Sequence, residues 1–176
     1  MCDLTELKVQ SPVGVWDVHF CPSGLHWVKL EKGQNQDINL NYNVEVVEGI
    51  ISFHPFLKWL SVYFKNVCAL KSEKVPEVCP AVFIGGGFRE KVWQEIYTKL
   101  EVGQTATYGE VAAGCGSVGA SQAVGTAMKT NPVSLVIPCH RVVKAGGKPG
   151  HYSGGTRDYL KIWLLDHEKQ VSQGMG

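Results

Sequence analysis

Cys139 and His140 stand side by side in the run Ile137-Pro138-Cys139-His140-Arg141-Val142-Val143. A free thiol titrates near pKa ~8.5, so at neutral pH little of it is the thiolate that attacks carbon. An imidazole within reach can take the proton and turn the cysteine into a nucleophile. Ser134 to Ile137 reads as a short buried strand, and Pro138, having no N–H, ends its ladder. Neighbours on a strand face opposite ways, so Cys139 and His140 need a turn or a bridging water to meet. An inert cysteine beside a structural histidine would fit the dipeptide as well.

Two further groups of residues could do chemistry. Cys21 and His26 bracket a turn and could converge on one ion; scattered free thiols, Cys2 among them, are the other reading. Tyr152-Ser153-Gly154-Gly155 has the composition of a backbone nest whose N–H groups donate to a ligand, and a plain loop reads the same.

These residues need elements to hold them. Val13 to Phe20 alternates, with Trp16, Val18 and Phe20 on one face, as in a half-buried strand. Cys21-Pro22-Ser23-Gly24 is turn chemistry, and Leu25 to Leu30 returns as the second strand of a hairpin. A third strand is expected around Val44 to Val47, with a loop over 31–41. Phe53 to Phe64 switches to helical spacing, with Phe53, Phe56, Leu57, Leu60 and Phe64 on one stripe. Residues 65–87 read as a connection, so the domains are expected at 1–84 and 85–176.

In the second half, Phe88 to Leu100 reads as a helix. Thr107-Tyr108-Gly109-Glu110 has the capping-box pattern and opens a short helix to about Ala113. Gly114-Cys115-Gly116 ends it, and a further helix runs from about Ala120 to Lys129. A helix-turn-helix and a tightly packed core pair both fit. A last helix carries Tyr159, Leu160, Trp163 and Leu164 on its apolar face and ends at His167-Glu168.

The 176 residues carry a net charge of +1, so any nucleic-acid face must come from local clustering. No stretch is long and apolar enough to span a membrane. Met1-Cys2-Asp3-Leu4 lacks an apolar run, so no signal peptide is expected. Six irregularly spaced cysteines suggest reduced thiols, and hence an intracellular, non-secreted protein.

The heptapeptide around Cys139, with Asn131-Pro132, Tyr152-Ser153-Gly154-Gly155 and Trp163-Leu164-Leu165-Asp166-His167-Glu168, resembles the O6-alkylguanine-DNA alkyltransferases (methylated-DNA–protein-cysteine methyltransferases). The chain looks like an animal member. The resemblance implies an α+β protein: a small N-terminal antiparallel-sheet domain, ribonuclease H-like, and a C-terminal helical winged helix-turn-helix-like domain carrying the active site. It implies irreversible, single-turnover transfer of a methyl or other alkyl group from O6 of guanine in duplex DNA to Cys139, with O4 of thymine a poorer substrate. Catalysis would use no cofactor. The protein would be a monomer, with cooperative binding along DNA left open, and would act in the nucleus, although no basic import cluster is evident.

Roles carry over residue by residue. Cys139 would be the nucleophile, His140 the base, Glu168 its orienting acid and Tyr108 the proton donor to the leaving guanine. Asn131 would pin the junction before the active-site loop. Thr107, Gln122, Ala123, Gly154 and the Ser153 N–H would contact substrate or DNA. The carbonyls of Cys139 and Val142 would accept from the guanine amine, and Pro138 and Tyr152 would wall the pocket. Arg141 is read as a structural ion-pair partner. Some animal relatives hold a structural zinc with two Cys and two His. Cys2, Cys21 and His26 match three of those ligands, and Cys79 stands where the fourth would be a histidine.

Other departures are Gln122, where the family usually has an arginine that fills the gap left by the flipped base, and Ser134, where human-like members have a second proline. The segment between Gly155 and Trp163 is slightly longer. Three other readings stay open: a lesion-binding helix-turn-helix protein without transfer, a zinc-stabilised regulator, and a thiol hydrolase using Cys139 and His140.

Overall fold

The computed structural model describes residues 2–31, 38, 44–49 and 54–173. Contacts divide the chain into two compact units: Met1–Val82 with Pro132–Val136, and Phe83–Asn131 with Ile137–Gly176.

The first unit is built on a four-stranded sheet, β1 (Thr5–Ser11), β2 (Gly14–Cys21), β3 (Gly24–Leu30) and β4 (Glu45–Gly49), in the order β3-β2-β1-β4. All its pairings are antiparallel. The β2–β3 hairpin arises from the alternation read above: Trp16, Val18 and Phe20 are buried, as are Leu25, Val28 and Leu30 on the return. β1 adds a strand to those expected, and its Leu7 and Val9 alternate in the same way and are buried. The expected third strand is β4, an edge strand on β1. Most of the expected 31–41 loop lies outside the described residues.

Helix α1 (His54–Lys65) buries Phe56, Trp59, Leu60, Tyr63 and Phe64. The buried stripe thus takes in Trp59 and Tyr63, while Leu57 is half-buried, and Phe53 lies outside the described residues. Ser134 to Ile137 is not a continuous strand: Ser134 and Ile137 each take part only in an isolated bridge. Val133 bridges to Val28, with Ser134 N–H donating to Val28 O at 2.9 Å, and Leu135 turns the chain with φ 74°.

The second unit holds α2 (Phe88–Lys99), β5 (Ala106–Thr107), α3 (Tyr108–Gly114), α4 (Ser121–Lys129), β6 (Val142–Val143) and α5 (Asp158–Gln173). The capping box closes at Thr107: its hydroxyl accepts Glu110 N–H at 3.2 Å, and Glu110 accepts Thr107 N–H at 2.6 Å. Such a cap contributes about 0.5–2 kcal/mol. Helices α2, α3 and α4 pack on one another, and Trp93 Nε1 donates to Ala127 O at 2.8 Å. Helix α5 continues past His167-Glu168 to Gln173, so Glu168 lies inside the helix and not at its end. Its buried face is Leu160, Lys161, Leu164, Glu168 and Val171, at spacings of three and four; Tyr159 and Trp163 are half-buried. None of the described helices is long and apolar enough to cross a membrane.

Candidate functional site

Cys139, His140 and Arg141 form one turn of 3-10 helix, closed by Arg141 N–H to Pro138 O at 2.9 Å. This turn answers the geometric problem of two adjacent residues on an extended chain. Asn131 holds its entrance: it is fully buried, and its Nδ2 donates to Ile137 O at 2.8 Å. On the exit side β6 pairs in parallel with β5, Ala106 against Val142 and Thr107 against Val143. That pairing, followed by the Thr107 cap, brings Tyr108 at the start of α3 beside the same loop.

Beneath Cys139 lies a buried charged group. His140 is 0 % exposed, and its Nε2 is 2.7 Å from Glu168 Oε1. Arg141 grips the same carboxylate through Nε at 2.8 Å and Nη2 at 3.0 Å, while its Nη1 donates to Leu100 O at 2.7 Å. Gly103 N–H adds a fourth donor at 3.2 Å. Burial pushes the Glu168 carboxyl up, but the charges and hydrogen bonds of His140 and Arg141 outweigh it and hold it well below the usual carboxylate range. Burial pulls the His140 imidazole below its ordinary value, and Glu168 only partly restores it. The resting pair is therefore a carboxylate and a neutral imidazole. A carboxylate only accepts, so Nε2 carries the hydrogen and Nδ1 is the basic atom. Among the described residues Nδ1 is buried with no hydrogen-bond partner in the protein.

Cys139 is 4 % exposed and opens onto a cavity of about 720 Å³. Thr107 and Tyr108 line one side, Gln122 and Gly125 of α4 another, and Tyr152, Ser153 and Gly154 a third. Ser153, Gly154 and Gly155 have φ of 51°, 72° and 93°, a run of left-handed residues that turns the strap over the cavity. Asp158 anchors that strap by accepting Tyr152 N–H at 2.7 Å. The Tyr152 hydroxyl shares a hydrogen bond with Cys139; burial first, then Cys139, raises its pKa well above the ordinary value. Burial, followed by the charges of Cys139 and Asp158, also raises Tyr108. Both phenols stay protonated at neutral pH.

The structure therefore gathers Cys139, His140, Glu168, Tyr108, Asn131, Thr107, Gln122, Tyr152, Ser153 and Gly154 around one cavity or directly behind it. Pro138 and Val142 are buried and are not among the lining residues, and Ala123 is exposed on α4. Lys161 went unnoticed in the sequence. It is 1 % exposed, and its Nζ donates to Val142 O at 2.6 Å and to the Tyr108 hydroxyl at 3.5 Å. The available signal was its seven-residue spacing from Glu168, two helical turns on one face.

A second cluster lies in the first unit. One ligand atom each from Cys2, Cys21, His26 and Cys79 falls within 4.8 Å of every other. Cys21 and Cys79 sulfurs are 3.7 Å apart, and His26 Nε2 is 3.1 Å from the Cys21 sulfur. Sulfurs at ~2.3 Å from a tetrahedral zinc would be about 3.8 Å apart, so the donor set fits that ion. Gly24 makes the approach possible. At φ 129° a Cβ there would meet Glu77 O at 2.5 Å, and the chain next to it pairs as Leu25 N–H to Glu77 O and Cys79 N–H to Leu25 O, each 2.9 Å. Burial pushes the Cys21 thiol up, but hydrogen bonds with His26, Ser23 N–H, Cys79 and Cys2 bring it down to about 6.

The family description "6-O-methylguanine DNA methyltransferase, DNA binding domain" matches residues 87–170. The mouse protein named methylated-DNA–protein-cysteine methyltransferase is 33% identical, over 99% of this chain and 88% of its own. The human protein of that name is 34% identical over 95% and 81%, and that of Salmonella typhimurium 33% over 96% and 97%. Among solved structures, Mycobacterium tuberculosis O6-methylguanine methyltransferase superposes with a TM-score of 0.71 at 27% identity, covering 96% of this chain and 94% of that one. The Mycobacterium tuberculosis OGT in complex with DNA gives 0.68 at 27%, covering 93% and 92%.

Proposed function

The chain belongs to the methylated-DNA–protein-cysteine methyltransferases, and from that premise we propose that it repairs duplex DNA by moving the alkyl group of an O6-alkylguanine onto Cys139, once per molecule. One observation carries the assignment of residues: a cysteine on a cavity wall whose neighbour, His140, is backed by a buried carboxylate and has its other nitrogen without a partner among the described residues.

The Cys139 proton passes to His140 Nδ1 through a water, and the imidazolium so formed is stabilised by Glu168. The thiolate then attacks the alkyl carbon in line with the departing O6. The carbon–sulfur bond forms, the carbon–oxygen bond breaks, and the electron pair leaves with guanine. Tyr108, kept protonated, donates to the base near N3, and Ser153 N–H donates near O6. The carbonyl of Cys139 accepts from the exocyclic amine, whereas that of Val142, buried behind the cavity wall, accepts from Lys161. Arg141 keeps Glu168 ionised. A thioether has no base-labile bond, so Cys139 is not regenerated. No cofactor enters these steps, and in this reading the protein acts as a monomer.

Cys139 is 4 % exposed, so a base stacked in a duplex cannot bring its O6 substituent to the sulfur. The lesion must rotate out into the cavity. Gln122 and Ala123 on α4 are the exposed side chains nearest the duplex in this reading, with Gln122 filling the vacated stack. The substrate is chromosomal DNA, which in a nucleated cell means action in the nucleus. Zinc bound by Cys2, Cys21, His26 and Cys79 would staple the β2–β3 hairpin to the chain at 77–79 and takes no part in the chemistry. Elemental analysis of metal-replete protein is expected to find one zinc per chain; none would dismiss the site.

The reaction is tested by incubating the protein with an O6-methylguanine duplex and weighing it. A gain of a single CH2, absent from Cys139→Ala, is expected. Binding without a mass change would make it a lesion-binding protein, and release of product over many turnovers would make it a hydrolase.

A further inference from the structure

Lys161 is a buried cation that, among the described residues, hydrogen-bonds no carboxylate; Asp158 acts on it only through its charge. It is 1 % exposed, and among the described residues its hydrogen-bond partners are two neutral oxygens, Val142 O at 2.6 Å and the Tyr108 hydroxyl at 3.5 Å. Burying an ammonium away from a paired counter-ion is costly unless something else favours the charge. A lysine kept only to hold the Val142 carbonyl would have no reason to sit over Tyr108, yet its Nζ is 5.7 Å from that ring's centroid.

We propose that Lys161 is the positioning residue for the Tyr108 proton donor: its ammonium occupies the acceptor side of the Tyr108 hydroxyl, turns the O–H toward the leaving guanine, and returns a proton to that oxygen after transfer. The proposal rests on the alkyl-transfer reading above. An ammonium has three donors and no lone pair, so Tyr108 can only accept from it. The phenolic hydrogen is thereby left for another acceptor, and the cavity is where one arrives. The 3.5 Å separation is long for a finished hydrogen bond, as such contacts often are before substrate binds.

The step balances without an outside reagent. The thiolate forms the carbon–sulfur bond, guanine keeps the carbon–oxygen pair, and Tyr108 gives guanine its proton. The phenolate takes a proton from Lys161, leaving a neutral amine that regains one from solvent. Burial, opposed by Cys139 and Asp158 and aided by Lys144, brings Lys161 down to about 8, while Tyr108 lies above its ordinary 10.0. Both directions favour proton return from the ammonium to the phenolate. The groups facing Lys161 are Tyr108 from α3, Cys139 and His140 from the active-site turn, Lys144 after β6, and Asp158 from its own helix. Of these, Cys139 as thiolate and Asp158 favour the ammonium.

The test is the single-turnover rate of methyl transfer from an O6-methylguanine duplex, from pH 6 to 10, for wild type, Lys161→Met and Lys161→Arg, each also in a Tyr108→Phe background. Wild type is expected to lose rate as pH rises past the lysine's titration. Lys161→Met should be slower by roughly tenfold to a hundredfold, part of what a positioned general acid supplies. Lys161→Arg should recover at least part of that loss and move the alkaline fall to higher pH, because a guanidinium does not titrate there. In Tyr108→Phe, Lys161→Met should cost little more, about threefold at most, since the two act as one unit. Multiplicative losses, or an alkaline profile that Lys161→Arg leaves in place, overturn the proposal. If Lys161→Met does not fold, the wild-type and Lys161→Arg profiles decide alone. A wild type that transfers no methyl at any pH refutes the reaction itself, which is a separate outcome.

Discussion

Replacing Glu168 by glutamine keeps the shape of the side chain and removes the single negative charge that two buried groups share. Arg141, 5 % exposed, uses both carboxylate oxygens, and His140, fully buried, uses one of them. An amide offers one acceptor oxygen, and its NH2 would face the donors of Arg141 or His140. Leaving a buried guanidinium without its partner costs about 3–5 kcal/mol. Against a net stability of about 5–15 kcal/mol, that is a large share. Glu168→Gln should therefore lower the urea midpoint, read by hydrogen exchange in α2 and α5, by the equivalent of about 3 kcal/mol or more at pH 7. The penalty should depend on pH with a definite sign. The folded Glu168 carboxyl titrates below its unfolded value, so its contribution is complete above ~4.3 and is lost as pH falls toward the folded value. His140 is depressed as well; its contribution is present above ~6.5 and is lost as pH falls below that. Wild type should therefore weaken on acidification through both groups, and the gap to Glu168→Gln should narrow below about pH 5 as the unfolded wild-type carboxyl takes up a proton that the folded one does not. Methyl transfer should slow by roughly 10²–10⁴, because the imidazolium loses its counter-charge. A cost under about 1 kcal/mol at pH 7, or a gap unchanged between pH 7 and pH 3, would refute the assignment of that carboxylate as the shared anchor.

Gln122→Arg should raise the rate on duplex DNA and leave reaction with free O6-methylguanine base nearly unchanged, since only the duplex needs its stack filled; an unchanged duplex rate counts against the role of residue 122. Asn131→Ala frees the buried Ile137 carbonyl and should cost about 1–3 kcal/mol, with faster hydrogen exchange over 137–141 and slower transfer; retained exchange protection would show the loop is held elsewhere. Thr107→Val removes one half of the capping box and should cost about 1 kcal/mol, detectable as a lower Tm, while shifting Tyr108 and slowing transfer more than the stability change explains.

The features legible in the sequence are those carried by a few consecutive residues. Alternation at Trp16, Val18 and Phe20 and the Pro-Ser-Gly turn make the β2–β3 hairpin, and Thr107 with Glu110 makes the start of α3, because backbone conformation and capping are decided within a turn or two of chain. The nucleophile and its neighbour were visible for the same reason, being adjacent. β1 carries an equally local signal in the alternation of Leu7 and Val9. What the tertiary structure decided is which distant groups meet. Pro132–Val136 joins the first unit through Val28, although it sits in the middle of the second unit's sequence. Glu168 meets His140 across 28 positions. The buried face of α5 includes Lys161 and Glu168, which any hydrophobic pattern assigns to solvent. A charged side chain is buried only where partners from other segments compensate its lost hydration, and those partners, Tyr108, Val142, His140 and Arg141, are not neighbours of α5 until the chain has folded.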